Sequence, residues 1–421
     1  MRHATKPERR RSHDGVLPDP CVTPRPHVVV LMATGRLGGA ERSMVSLIKS
    51  STAARRFTLL LPEPGELGPV AAAAGAEALV VPWPPRVIAL GERSGLPGPA
   101  ALLRAVPPFW TAVTRVAAHV RSLRPDVLVT NGIKPHVLGA LALERLPGVP
   151  LVWYLRDSLD GRRLSRVIFR RVSGRCDAAV AISEYVARDA ATYLPPSLRP
   201  TVVYNILGVP LEPEDDEEPI RKPEGELWFA TIGGLTPLKG HDVFLKAAAI
   251  VRRERPEARF LIVGSNQYAP EQGLDYPGHL RALANRLQLD AVVRFLGQRH
   301  DVHRLLRQID VVVQCNTAPE AFGRSVAEAM SAGLPVIASR GWSFSELIED
   351  GRTGWLVAPG DVQALADRML TAAIDAGTRR EIGERARTFI TSITDPSRCA
   401  AAFDAALTRA AGLRPPAMTA T

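Results

Sequence analysis

Short apolar runs rich in β-branched residues recur along this chain and alternate with segments of helical periodicity. They begin near Val28, Phe57, Ala78, Asp126, Leu151, Ala178 and Thr201. Strands separated by helices return to one sheet as parallel neighbours, so the pattern predicts parallel sheet, helices on both faces and right-handed crossovers. It stops at Glu212-Pro213-Glu214-Asp215-Asp216-Glu217-Glu218-Pro219, an acidic, proline-flanked stretch without periodicity that reads as a linker. A second series follows, with strands at 227–233, 259–264, 292–297, 310–314, 335–339 and 355–357 and helices such as 241–255 and 362–374. The expected organisation is a disordered basic tail (1–26), a first doubly wound α/β domain (27–208), the linker (209–226), a second α/β domain (227–395), and a helical end with its tail (396–421). The 421 residues are too many for one ordinary core, which agrees with two domains.

Charge and cysteine usage narrow the function classes. The formal net charge of +10 suits an anionic partner: a nucleotide-sugar, an acidic membrane face or nucleic acid. Nucleic acid is the weakest of these, because no recognition motif or aromatic platform accompanies the charge. The longest apolar run, 28–33, is six residues, against roughly 20 needed to cross a bilayer. The first 26 residues lack the apolar segment of a signal peptide, so a cytoplasmic location is expected. Cys21, Cys176, Cys315 and Cys399 are far apart and form no Cys-x-x-Cys pair, which predicts reduced thiols and no zinc site.

The stretch 319–337 carries the most chemistry. Glu320 and Glu328 flank a loop-to-helix transition entered through Phe322-Gly323, and Val326, Ala329 and Met330 recur at helical spacing. Gly333 is placed to end the helix before a new strand at 335. Arg324, Ser325 and Glu328 share the face opposite the apolar one. Amides at the helix start favour an anion, and Glu328 one turn on could grip hydroxyls. Such a site suits a ligand with both phosphate and sugar. The bland alternative is a pair of surface carboxylates.

Other candidates stand at strand ends. Gly35-Arg36-Leu37-Gly38-Gly39-Ala40-Glu41 follows the first strand; its glycines permit close backbone approach to a ligand, or simply a tight turn. It is not the Gly-x-Gly-x-x-Gly dinucleotide fingerprint. In the second half, Gly233-Gly234-Leu235-Thr236-Pro237-Leu238-Lys239-Gly240 occupies the corresponding position, and Lys239 could reach a diphosphate or be a solvated loop lysine. Arg156-Asp157 ends a first-domain strand, as a site residue or as a structural ion pair. Arg162, Arg163, Arg166, Arg170, Arg171 and Arg175 surround Leu164, Val167, Ile168 and Val172. They read first as an ordinary domain helix with a solvated basic face, and second as a helix that docks on anionic lipid. No Asp-x-Asp triplet, metal-ligand cluster, Gly-x-Ser-x-Gly elbow or Walker loop occurs, so a metal is not expected and hydrolase and kinase readings fall away.

Thr236-Pro237-Leu238-Lys239-Gly240, the Glu-x7-Glu motif with Phe322-Gly323, and Glu349-Asp350-Gly351-Arg352-Thr353-Gly354-Trp355-Leu356-Val357 resemble the retaining glycosyltransferases of family 4. Gly38-Gly39-Ala40-Glu41, Ile182-Ser183-Glu184 and Tyr204-Asn205 match that family's looser first-half signatures. The resemblance implies a GT-B fold, two Rossmann-like domains facing a cleft with a final helix crossing back to the first. It implies a nucleoside-diphosphate sugar donor, no cofactor, and an acceptor left open. By the same resemblance Glu328 would bind the ribose hydroxyls and Lys239 the diphosphate. Glu320, with the amides of Phe322, Gly323 and Arg324, would hold the transferred sugar, and Gly38 and Gly39 would lie near the diphosphate and acceptor. Gly234 departs from the arginine that the family often has there, a charge Arg324 could supply. Arg156 stands at about the place of a family histidine, and Gly341-Trp342-Ser343-Phe344-Ser345-Glu346 replaces a glycine-rich loop.

The implied chemistry is electrostatic stabilisation of a departing diphosphate by helix amides and Lys239, with retention by front-face substitution. The rivals are a sugar-nucleotide epimerase of the same two-domain shape and a non-catalytic sugar-nucleotide-binding module. A hydride-transfer enzyme is disfavoured by the missing fingerprint.

Overall fold

A computed structural model describes residues 25–89, 99–146, 148–207, 220–266 and 275–412. The expected basic tail, apart from its last two residues, and the linker up to residue 219 lie outside the described residues. The first sheet holds β1 (His27–Met32), β2 (Arg56–Leu61), β3 (Ala76–Val80), β4 (Val127–Asn131), β5 (Leu151–Leu155), β6 (Ala178–Ala181) and β7 (Thr201–Val202), in the order β3-β2-β1-β4-β5-β6-β7. The second holds β8 (Leu227–Ile232), β9 (Ala258–Val263), β10 (Val293–Gly297), β11 (Val311–Gln314), β12 (Val336–Ser339) and β13 (Trp355–Val357), in the order β10-β9-β8-β11-β12-β13. Neighbouring strands pair in parallel throughout. Central strands β1, β4, β5 and β8 are buried along their whole length, which is why they read as continuous apolar runs. In each sheet the strand order reverses beside the domain's first strand, β1 or β8. Such a switch point opens a crevice at the carboxyl ends of the strands.

Helices that matter below are α1 (Gly39–Ser51), α2 (Pro99–Leu123), α3 (Ile133–Leu143), α4 (Arg163–Val172) and α5 (Glu184–Ala190) in the first domain. In the second half come α6 (His241–Glu254), α7 (Arg324–Ser331), α8 (Ala376–Ile393) and α9 (Pro396–Ala411). Helix α2 defeats sequence reasoning, because Pro107 and Pro108 sit inside it, where proline removes an amide and crowds the preceding turn. Helix α9 starts at Pro396 behind Asp395, whose side chain accepts from the Arg398 amide at 2.8 Å. It crosses back onto the first domain, packing against α1 and β6. Buried Arg55 fastens it there, with Nε 2.9 Å from Asp404 Oδ1 and Nη2 3.0 Å from the Asp404 carbonyl. One apolar core runs without a break from the first sheet to Phe322, Val326 and Phe344, and a second lies around Phe229, Phe244 and Phe260. Among the described residues no helix is long and apolar enough to cross a membrane.

The basic helix departs from its expected form. Leu164, Val167 and Ile168 are exposed, and Phe169 is the buried residue, packed on His136, Trp153 and Tyr193. The apolar spacing of α4 therefore does not mark a core-facing stripe.

Candidate active site

Loop 315–323 leaves β11 and ends at Gly323, whose φ of +84° places it in the left-handed region ahead of α7. A Cβ there would come within 2.5 Å of the Phe344 ring, so packing and backbone both require glycine. Glu320 on this loop pairs with Lys239, which stands on a 3-10 turn after β8. Asn316 Nδ2 donates to the same carboxylate oxygen at 3.0 Å. Sequence reasoning sent Lys239 and Glu320 to different parts of one ligand; the fold brings them into direct contact.

On α7, Arg324 Nε lies 2.6 Å from Glu328 Oε1. The same guanidinium crosses between the domains, with Nη1 3.0 Å from the Gly39 carbonyl and 3.1 Å from Ser43 Oγ at the start of α1. Gly38 is the N-cap of α1, and Gly39 faces the Arg324 side chain. Ser325 is used differently. Its hydroxyl accepts from Gln314 Nε2 at 3.0 Å, and Gln314 also donates to the Ile232 carbonyl at 2.6 Å. This stitches α7 to the sheet. Around Gly234 a Cβ would meet nothing nearer than the Ser265 carbonyl at 4.0 Å, so the second-half glycine turn is open at that point. Gly35, by contrast, is pressed against the Glu63 carbonyl, 2.2 Å from an ideal Cβ, and serves backbone packing.

Arg156, at the end of β5, pairs with Glu41 of α1 at 2.8 Å rather than chiefly with Asp157, which is 3.9 Å away. Both partners are largely buried. Burial opposes the charge on Arg156, but Glu41 and Asp157 outweigh it and keep the guanidinium protonated. Its Nε makes no hydrogen bond, nor does the buried Oδ1 of Asn131 at the end of β4. Sequence reasoning quoted Glu41 only as part of a glycine motif; an acidic residue in the first turn of α1 was the available signal. Buried His136 stacks on Trp153 with centroids 5.0 Å apart and shares a 2.7 Å hydrogen bond with Thr130 Oγ1. Burial lowers its pKa to about 3, so it is neutral.

The site loop also touches the first domain. Ser183 Oγ donates to the Ala321 carbonyl at 2.6 Å, and Glu346 accepts the Glu184 amide at 2.7 Å. Residues 37–209 match the family model for Glycosyltransferase Family 4, and residues 213–389 match the model for glycosyl transferases group 1. The chain belongs to the group 1, family 4 glycosyltransferases. The D-inositol 3-phosphate glycosyltransferase of Kribbella flavida is 32% identical to this chain over 39% of each. The chain therefore spans about two-fifths of the length of that relative. The N-acetyl-alpha-D-glucosaminyl L-malate synthase of Bacillus anthracis is 27% identical over 67% of this chain and 74% of its own. In fold, it is similar to Anabaena HepE, solved in complex with UDP and glucose, with a TM-score of 0.71, 23% identity, and 90% and 99% of the two chains covered. The Thermosynechococcus elongatus sucrose-phosphate synthase gives 0.72 at 17% identity over 90% and 97%. These likenesses give this chain two facing Rossmann-like domains, the GT-B arrangement.

Proposed function

We propose that this glycosyltransferase moves a sugar from a nucleoside-diphosphate sugar to an acceptor with retention of configuration. The observation that carries this is the double pairing in the cleft, Lys239 with Glu320 and Arg324 with Glu328. Each carboxylate has a cation poised to exchange it for a ligand group. Ribose hydroxyls would take Glu328, the diphosphate would draw Lys239 and Arg324, and the transferred sugar would take Glu320 with the amides of Phe322, Gly323 and Arg324. As the diphosphate leaves, those fixed positive groups stabilise its growing charge without reorganisation. No carboxylate is assigned as covalent nucleophile; front-face attack by the acceptor, assisted by the leaving phosphate, accounts for retention. This reading requires no resident cofactor, since Lys239, Arg324 and helix amides supply the positive charge.

Gly38 and Gly39 would border the diphosphate and acceptor, with Gly234 leaving room beside it. Arg156 is assigned to the first-domain wall of the cleft, holding Glu41 in place. The UDP complex of the similar Anabaena protein supports trying uridine donors first. The net positive charge and the exposed residues of α4 support peripheral contact with an anionic membrane on the cytoplasmic side.

The test is a thermal-shift panel of nucleotide-sugars followed by product analysis with and without acceptors. Donor conversion to an isomeric nucleotide-sugar without acceptor would replace this reading with epimerisation; binding without turnover would leave a binding module. Glu328→Ala is expected to lose donor affinity while staying folded, and undiminished affinity by calorimetry removes the central assignment.

A further inference from the structure

The donor-side loop is held, residue by residue, from two directions. The Glu320 carbonyl accepts the Ser343 amide at 3.4 Å. The Ala321 carbonyl accepts the Ser183 hydroxyl, the Phe322 ring lies 6.2 Å from the Tyr204 ring, and Gly323 rests on Phe344. Ser183 and Tyr204 belong to the first domain; Ser343 and Phe344 belong to one short turn of the second. That turn is itself tied to the first domain, because Glu346 accepts the Glu184 amide at 2.7 Å and reaches the Tyr185 amide at 3.5 Å. Trp342 enters it with φ of +50°, a left-handed conformation costly for a bulky side chain. Fixing the turn in this shape is therefore worth some strain.

We propose that Ser183 and Glu346 are positioning residues that make domain closure set the geometry of the Glu320 loop, so that the acceptor-side domain completes the donor sugar site. The inference rests on the donor-site reading above. Opening the cleft removes Ser183 from Ala321 and the α5 amides from Glu346 in one movement. The loop then keeps only its second-domain contacts, with the turn, Lys239 and Leu238, and Glu320 loses its fixed relation to the first domain. Nucleotide contacts at Lys239 and Glu328 lie within the second domain, and only Arg324 among them also reaches the first, so losing the latch costs sugar transfer more than nucleotide binding. Donor binding and sugar transfer are thereby separable. Glu184, Arg188 and Tyr204 face Glu346, and burial raises its carboxyl above the ordinary range, with Glu184 adding to that and the two amides and Arg188 opposing it.

The test compares full-length Glu346→Ala, Glu346→Gln and Ser183→Ala with the wild type. Calorimetry measures nucleoside diphosphate affinity, steady-state kinetics measure kcat and KM with the donor found by the panel, and small-angle scattering measures the radius of gyration. The latch predicts nucleoside diphosphate affinity within about twofold in Glu346→Ala, with kcat lower by about tenfold or more and a larger radius. Glu346→Gln keeps an acceptor oxygen and is expected to retain most of kcat. Ser183→Ala also removes the cap of α5, so its kcat is compared only after its melting temperature is known. Unchanged kcat and radius in Glu346→Ala overturn the proposal and leave the donor site standing. A wild type that binds no nucleoside diphosphate removes the donor reading, and scattering still decides the latch. Should Glu346→Ala fail to fold, a folded Ser183→Ala with unchanged kcat and radius overturns it instead.

Discussion

Arg324 and Glu328, one turn apart on α7, form an ion pair at 2.6 Å, and the same guanidinium donates to the Gly39 carbonyl across the cleft at 3.0 Å. One cation thus serves a candidate ribose-binding carboxylate and the contact between domains. Neither side chain is fully buried, so the pair by itself adds little stability. Its consequence is for binding. Arg324→Ala should weaken nucleoside diphosphate affinity by about tenfold, the scale of one charge-assisted hydrogen bond. A double-mutant cycle with Ser43→Ala should show coupling above about 0.5 kcal/mol in calorimetry. Strict additivity would mean that the contact across the cleft carries no binding energy.

Lys239 is the nearest cation to Glu320. Lys239→Ala should lower kcat/KM by roughly 100-fold, the loss typical of one preorganised charge on a leaving group. Lys239→Arg should restore little, because a planar fork does not replace a compact ammonium. Radiolabelled donor turnover measures both.

The Arg156–Glu41 pair is buried between β5 and α1, and breaking one partner strands the other. Glu41→Gln should destabilise the protein by about 3 kcal/mol in urea unfolding. Glu41→Leu with Arg156→Met should recover most of that loss. A double variant as unstable as the single one contradicts the buried-charge explanation.

Two buried histidines predict acid sensitivity. Burial lowers His136 to about 3 and, with the charge on Lys239, lowers His241 to about 4. Unfolded histidine titrates near 6.5, so between that value and the folded pKa the unfolded state binds the extra proton. Stability is full above about pH 6.5 and falls with acidification by about 1.4 kcal/mol per pH unit for each histidine. Replacing His136 by Gln should reduce that slope by one such increment in unfolding midpoints taken from pH 7 to pH 4.5. An unchanged slope would locate the acid response elsewhere.

Five of the large apolar side chains exposed on the described surface, Val106, Trp110, Leu164, Val167 and Ile168, lie on α2 and α4, which both pack against α3. Helix α4 has no acidic residue. Arg166 is already committed to Asp189, which leaves Arg163, Arg170 and Arg171 as the exposed cations. Sedimentation with vesicles containing anionic lipid should show salt-sensitive binding, lost when those three become Ala. Wild-type protein that stays in the supernatant at low salt ends this reading.

The strand series was legible because buried parallel strands must be continuously apolar, and the second-half strands begin and end within about a residue of their expected bounds. The return of α9 was implied by family resemblance and is held by Arg55 and Asp404, 349 positions apart, a pairing no local pattern announces. At the site, residue types and spacing singled out Glu320, Glu328, Lys239 and Arg324. They did not reveal that Lys239 meets Glu320, that Arg324 spans the cleft, or that Ser325 is spent on Gln314. Glu41 went unrecognised for the same reason, since its partner Arg156 is 115 residues away. Periodicity and turn chemistry act between near neighbours and so determined the elements and the candidate groups. Which charge neutralises which depends on the packing of two sheets against each other, and only the tertiary structure decided that.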